Sequence, residues 1–196
     1  MPSEIRRQIL HPEALFDSPY EAHDLDVSAY VAPGPWRLAG QDACGFTLAA
    51  GPARLRVAAV GDGGVRLRLN PEGEPRPSAT EDLGLLTYPS PAGLVGVAVD
   101  AVAATLRAGG LVARVDLASG AVTVSDVAGA VLVETLGGVR VSPQPGEHSG
   151  HRFLCDLRRQ PGERFFGCGG RSALPDRTGS TFDAYAEKVG KHDGDY

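Results

Sequence analysis

The sequence predicts an all-β fold, a two-sheet antiparallel β-sandwich behind a mixed N-terminal extension. Three observations carry this. Apolar and polar residues alternate at period two, most cleanly in Val65-Arg66-Leu67-Arg68-Leu69, so every second side chain shares one face of a strand. Glycine (26) and proline (15) together supply 41 of 196 residues, roughly a fifth where ~12% is usual, which suits a chain full of turns. The strand-like runs are short and closely spaced, and no helical pattern alternates with them, which argues against a parallel α/β sheet.

The elements follow in order. Residues 1–34 read as an extension wrapping the main body, and 35–196 as the sandwich. Within the extension, Glu4 to Phe16 has the pattern of a short helix with Ser3 as N-cap, interrupted by Pro12. From Trp36 the runs Phe46-Thr47-Leu48, Leu55-Arg56-Val57 and Val65 to Leu69 predict strands, with Asp62-Gly63-Gly64 as a hairpin turn. Asn70 to Ala79 reads as an exposed loop, which Glu81 and Asp82 extend. A second series begins near Leu85. It takes in Leu94 to Val102, Leu111 to Leu117, Val122 to Val124, Val131 to Val133 and Val139 to Val141, punctuated by glycine pairs and Ser119-Gly120. Phe153 to Arg158 and Arg164 to Phe166 predict two more strands. No fixed-period repeat appears, so a propeller or solenoid is not supported.

Charge and composition exclude several classes. A net charge of -5 offers no basic field for nucleic acid or an anionic membrane. No run reaches the ~18 apolar residues of a membrane span. Met1 to Arg7 is not followed by a secretory apolar region, so a cytoplasmic location is the default expectation. Cys44, Cys155 and Cys168 are odd in number and far apart, the pattern of reduced thiols rather than a disulfide framework.

Candidate constellations are few. Gly167-Cys168-Gly169-Gly170 lacks the lysine and hydroxyl residue of a phosphate loop, and no helix pattern follows it. His148 and His151 have no carboxylate or cysteine at ligand spacing, and read as a surface turn. The acid pairs Asp24/Asp26 and Asp193/Asp195 are sequence neighbours, whereas glycosidase carboxylates face each other across a sugar and normally come from different strands. No Gly-x-Ser-x-Gly elbow is present. Trp36, with Tyr88, Tyr185 and Tyr196, would be a sugar-stacking platform if exposed in a row; core or rim packing is the plainer reading. No cofactor or metal is expected.

The segment from Gly162 to Tyr185 carries a resemblance. Phe166-Gly167-Cys168-Gly169 is an aromatic residue entering a Gly-x-Gly turn. Asp176-Arg177-Thr178-Gly179 follows after a short loop, and Phe182 to Tyr185 continues as a strand. This resembles the run that closes the N-terminal β-sandwich of family 31 glycoside hydrolases, the α-glucosidase family. Upstream, Val65 to Leu69 resembles an early strand of that sandwich, and Val122 to Leu132 one of its hairpins. Gly170 replaces the family glutamate, and Leu174-Pro175 inverts the usual order. Tyr185-Ala186-Glu187-Lys188 stands where the family has Trp-Asn-Thr-Asp.

The resemblance implies a galactose-mutarotase-like sandwich that precedes a (β/α)8 catalytic barrel and lends a loop to its substrate pocket. Glu187 or Lys188 occupies the neighbourhood of the family's sugar-binding acid, and Asp193 or Asp195 would supply that acid under a shifted register. The sugar preference is thus open to differ from a plain α-glucosidase. The family's nucleophile and acid/base are barrel aspartates, so no catalytic residue is expected here. The implied partners are a carbohydrate substrate, the barrel and, with the docking surface bare, a second copy of the chain. Two other readings stand beside this one. One is a stand-alone carbohydrate-binding module. The other is a small mutarotase-like enzyme using His151 and Asp156, whose spacing puts them on opposite faces of a shared strand.

Overall fold

The computed structural model describes residues 27–85, 89–91, 93–142, 151, 153–166 and 178. The chain forms two compact units. Asp26–Arg158 holds every named strand; of the other, Met1–Leu25 with Arg159–Tyr196, residues 159–166 and 178 are described. The helix expected over Glu4 to Phe16 lies outside the described residues.

The first sheet is an antiparallel meander of four strands in chain order: β1 (Arg37–Asp42), β2 (Gly45–Ala50), β3 (Ala53–Val60) and β4 (Gly64–Asn70). Alternation dictates the faces. Phe46 pairs with Val57 and Leu48 with Leu55, and all four point inward and are buried. Val65 and Leu69 pack against them from β4, while Leu67 at this sheet edge is 39% exposed. Edge strand β1 is exposed throughout and bulged between Leu38 and Gly40, a feature that discourages pairing with another chain. The turn between β3 and β4 spans Gly61 to Gly63, one residue earlier than the glycines suggested, with Gly61 at φ 56°.

The second sheet is a five-strand antiparallel meander: β5 (Gly96–Val99), β6 (Ala103–Ala108), β7 (Leu111–Asp116), β8 (Val122–Asp126) and β9 (Val131–Glu134). Its inner face sets Leu106 opposite Ala113 and Val115 opposite Val122. These join Phe46, Leu48, Leu55, Val57 and Trp36 in one apolar cluster, so the two sheets bury a common core. Burying each large aliphatic or aromatic side chain there stabilises by about 1.5–3 kcal/mol. A two-strand ribbon, β10 (Arg140–Val141) with β11 (Phe153–Leu154), completes the unit. The strand expected from Phe153 to Arg158 is therefore only two residues long, continued by a single bridge from Leu157 to Thr135. Phe166 makes only an isolated bridge, where a strand from Arg164 was expected.

Arg66 and Arg68 of β4 do not face open water as their alternation with Val65, Leu67 and Leu69 implies. The segment after β4 contains a short helix, α1 (Ala79–Asp82), where the sequence suggested loop. Ser78 caps it, and Glu81 accepts the Ser78 backbone N–H at 2.7 Å and its hydroxyl at 2.8 Å, half of a capping box. The same carboxylate meets Arg66 at 2.7 Å and also contacts Arg68.

Candidate functional site

A cleft of about 690 Å³ opens on the sandwich unit. One wall is Ala32–Pro35, a strap tied at both ends. Val31 exchanges two backbone hydrogen bonds with Val141 of β10, and the Trp36 N–H donates to Leu117 O at 2.6 Å. The second wall is the β7–β8 turn at Ala118 and Ser119, and the third is the chain from Leu136 to Arg140, with Asp156 beside it.

Local chemistry fixes each wall. Asp116 Oδ1 accepts both the backbone N–H and the hydroxyl of Ser119, which shapes the β7–β8 turn. Those bonds hold the Asp116 carboxyl below the usual carboxylate range, the Ser119 hydroxyl being the largest cause. The Thr135 hydroxyl accepts the Val122 N–H at 2.8 Å and donates to Gly137 O at 2.6 Å, pinning the third wall to β8. A Cβ on Gly138 would lie 2.3 Å from Ser119 O, so the two walls meet through a residue that must lack a side chain. Pairing of β10 with β11 brings Arg140 and Asp156 together in an ion pair. The paired side chains are 32% and 49% exposed.

Trp36 stands behind the strap. It is 4% exposed, so it belongs to the core and offers no face to a sugar. Its Nε1 is, among the described residues, the buried side-chain polar atom without a hydrogen-bond partner. It abuts Gly120, where a Cβ would fall 2.5 Å away.

The sequence-predicted residues fare differently. Glu187, Lys188, Asp193 and Asp195 lie outside the described residues, as do His148, Cys168, Tyr88, Tyr185 and Tyr196. Of the closing segment, the Phe165 N–H donates to the Thr178 hydroxyl at 3.0 Å. His151 and Asp156 are engaged apart. His151 Nε2 sits 3.1 Å from Glu72 and Nδ1 3.1 Å from Ser142 O, while Asp156 holds Arg140. The Glu72 hydrogen bond, then the Ser142 carbonyl, push the His151 pKa up. This arrangement gives no support to the mutarotase-like pair. Cys44 and Cys155 are free thiols; burial, then the Asp156 charge, push the Cys155 thiol up and away from reactivity. Among the described residues no three His, Cys, Asp or Glu side chains gather to hold a metal, and no helix is long and apolar enough to cross a membrane. Most of the cleft lining is glycine, proline and alanine, residue types that read as turns in a sequence, so nothing local marked it.

No protein-family profile matches the sequence, and no curated protein matches it. Solved structures do. A family 31 α-xylosidase from a soil metagenome, solved with xylose, superposes with a TM-score of 0.56 at 17% identity over 74% of this chain. The chain shares its fold with part of that enzyme. A family 31 α-xylosidase from Xanthomonas citri gives a TM-score of 0.53 at 22% identity over 67% of this chain. The chain spans about a quarter (24%) of the first protein's length and a seventh (14%) of the second's.

Proposed function

We propose that this chain is the non-catalytic β-sandwich domain of a retaining α-glycosidase of the family 31 type, supporting a catalytic barrel and lending residues to its substrate pocket. The observation that carries the reading is a sandwich fold shared with two α-xylosidases, joined to a closing motif that resembles the family's own. The surface adds support. Val131, Leu132 and Val133 of edge strand β9, with Leu157 beside it, are all more than two-fifths exposed. A contiguous apolar edge of this kind suits docking against another body. In this reading Glu187, Lys188, Asp193 and Asp195 belong to the loop that reaches the pocket, and the barrel supplies the two carboxylates.

The test is the native gene product, sized by blotting a source-cell extract and then purified. Assayed on p-nitrophenyl α-xyloside and α-glucoside, it should be several times longer than 196 residues and release sugar with retained anomeric configuration. A product no longer than this chain, without α-glycosidase activity, sinks the reading. The ratio of the two rates assigns the sugar.

A further inference from the structure

The cleft walled by the strap, the β7–β8 turn and the Leu136–Arg140 segment has no part in the reading above, and its lining is chemically selective. Its volume, about 690 Å³, falls in the range of small-molecule sites, roughly 300–1,000 Å³. Among the described residues its charged lining is Arg140 and Asp156, which cancel one another. An anion gains Arg140 but meets Asp156, and a cation meets the reverse. A purely apolar ligand would desolvate both and pair with neither, which is unfavourable. A neutral ligand carrying hydroxyls satisfies both, because a hydroxyl accepts from the guanidinium fork and donates to the carboxylate. Apolar surface completes the lining. Pro33 and Pro35 stand on the strap, and Leu136, 57% exposed, stands on the third wall. Such surfaces match the C–H face of a sugar ring.

We propose that this cleft binds a neutral saccharide unit, with Arg140 and Asp156 gripping neighbouring hydroxyls and Leu136 with the prolines covering the ring. The site is preorganised. The strap is anchored at Val31 and Trp36, and the third wall at Thr135, so little chain ordering opposes binding. The partly exposed ion pair is worth little by itself, so exchanging part of it for ligand hydroxyls costs little. The inference stands on the lining chemistry and is independent of the glycosidase reading.

The 196-residue chain is titrated with D-xylose, D-glucose and maltose, and with glucuronate as the charged comparison, following backbone amide shifts by NMR. Saturable shifts are expected over residues 32–34, 118–119 and 136–140, with a neutral sugar preferred over glucuronate. Arg140→Gln and Asp156→Asn should each weaken binding roughly tenfold, since each removes one charged hydrogen-bonding partner. Their urea midpoints should stay near the parent's, which separates lost binding from lost fold. Arg54→Gln, on the other sheet, should bind as the parent does. Absence of saturable shifts with all three neutral sugars overturns the proposal. So does binding that survives both cleft substitutions, or that favours glucuronate. Glycosidase activity of the native product without binding here would sink the cleft and leave the proposed function standing.

Discussion

Glu81 shows how much one residue can do in this chain. The outer face of the first sheet carries Arg54, Arg56, Arg66 and Arg68, and Arg56 lies directly opposite Arg68 across the β3–β4 pair. Like charges so placed destabilise a sheet. Three carboxylates answer them: Asp42 on Arg56, Glu74 on Arg54, and Glu81 on both Arg66 and Arg68. The three are not equal. Glu74 is 75% exposed, and its bridge is worth little after screening by water and salt. Glu81 is 15% exposed, answers two arginines and also caps α1. Glu81→Gln should therefore cost about 1–3 kcal/mol in urea unfolding, combining a lost cap with a weakened, poorly solvated ion pair. Glu74→Gln should stay within about 0.5 kcal/mol. Equal effects from the two would show that the Glu81 contacts add nothing beyond an exposed pair.

At the scale of elements, the hairpins share one device. Asp42, Asp100, Asp116 and Asp126 each stand at or just past a strand end and accept backbone N–H groups of the following turn. The carboxylate thus replaces ladder partners that the turn leaves unmet. Three of these carboxyls titrate below the ordinary value of 3.8: Asp42 chiefly through Arg56, Asp100 through the Val102 N–H, and Asp116 through the Ser119 hydroxyl. The unfolded chain binds these protons more readily than the folded one. Their stabilisation is therefore complete above the unfolded value and is lost as pH falls through the lower folded values. Urea midpoints should drop on acidification below about pH 4, and Asp116→Asn should flatten that fall. An unchanged slope in the variant would remove Asp116 from the account. The β7–β8 turn carries a second constraint. Gly120 has φ 74°, and a Cβ there would lie 2.5 Å from Trp36 Nε1. Gly120→Ala should lose about 2–4 kcal/mol through backbone strain and a displaced indole. Because Trp36 is the single tryptophan, its emission should shift to the red; an unmoved spectrum with full stability would mean the turn relaxes freely.

For the whole molecule, what could be read in advance divides by physical cause. Period-two alternation exposed the strands, because burial on one side of a pleat leaves a local pattern: the runs at Phe46 to Leu48, Leu55 to Val57 and Val65 to Leu69 are strands, and Val65 and Leu69 pack on the core while Leu67 does not. Trp36 in the core was also within reach, since a lone large aromatic is worth more buried than exposed. The cleft and the Glu81 clamp were not legible. Each depends on groups far apart in sequence, as when Asp156 meets Arg140 or Glu81 meets Arg66, and no local period encodes such a meeting. The topology behind the strands has a consequence of its own. Both sheets are meanders in which each strand pairs with its chain neighbour, so loop-closure costs are small. Every named strand and the whole apolar cluster lie within Asp26–Arg158. A chain cut to residues 26–158 should therefore fold by itself. Trp36 emission should report a buried indole, and its urea transition should coincide with that of far-ultraviolet circular dichroism, as a single cooperative core requires. Within that fragment Leu106→Ala should cost about 2–5 kcal/mol, since Leu106 is fully buried between the sheets. Two separated transitions, or a solvent-exposed indole in the fragment, would mean that the sandwich draws its stability from segments outside residues 26–158.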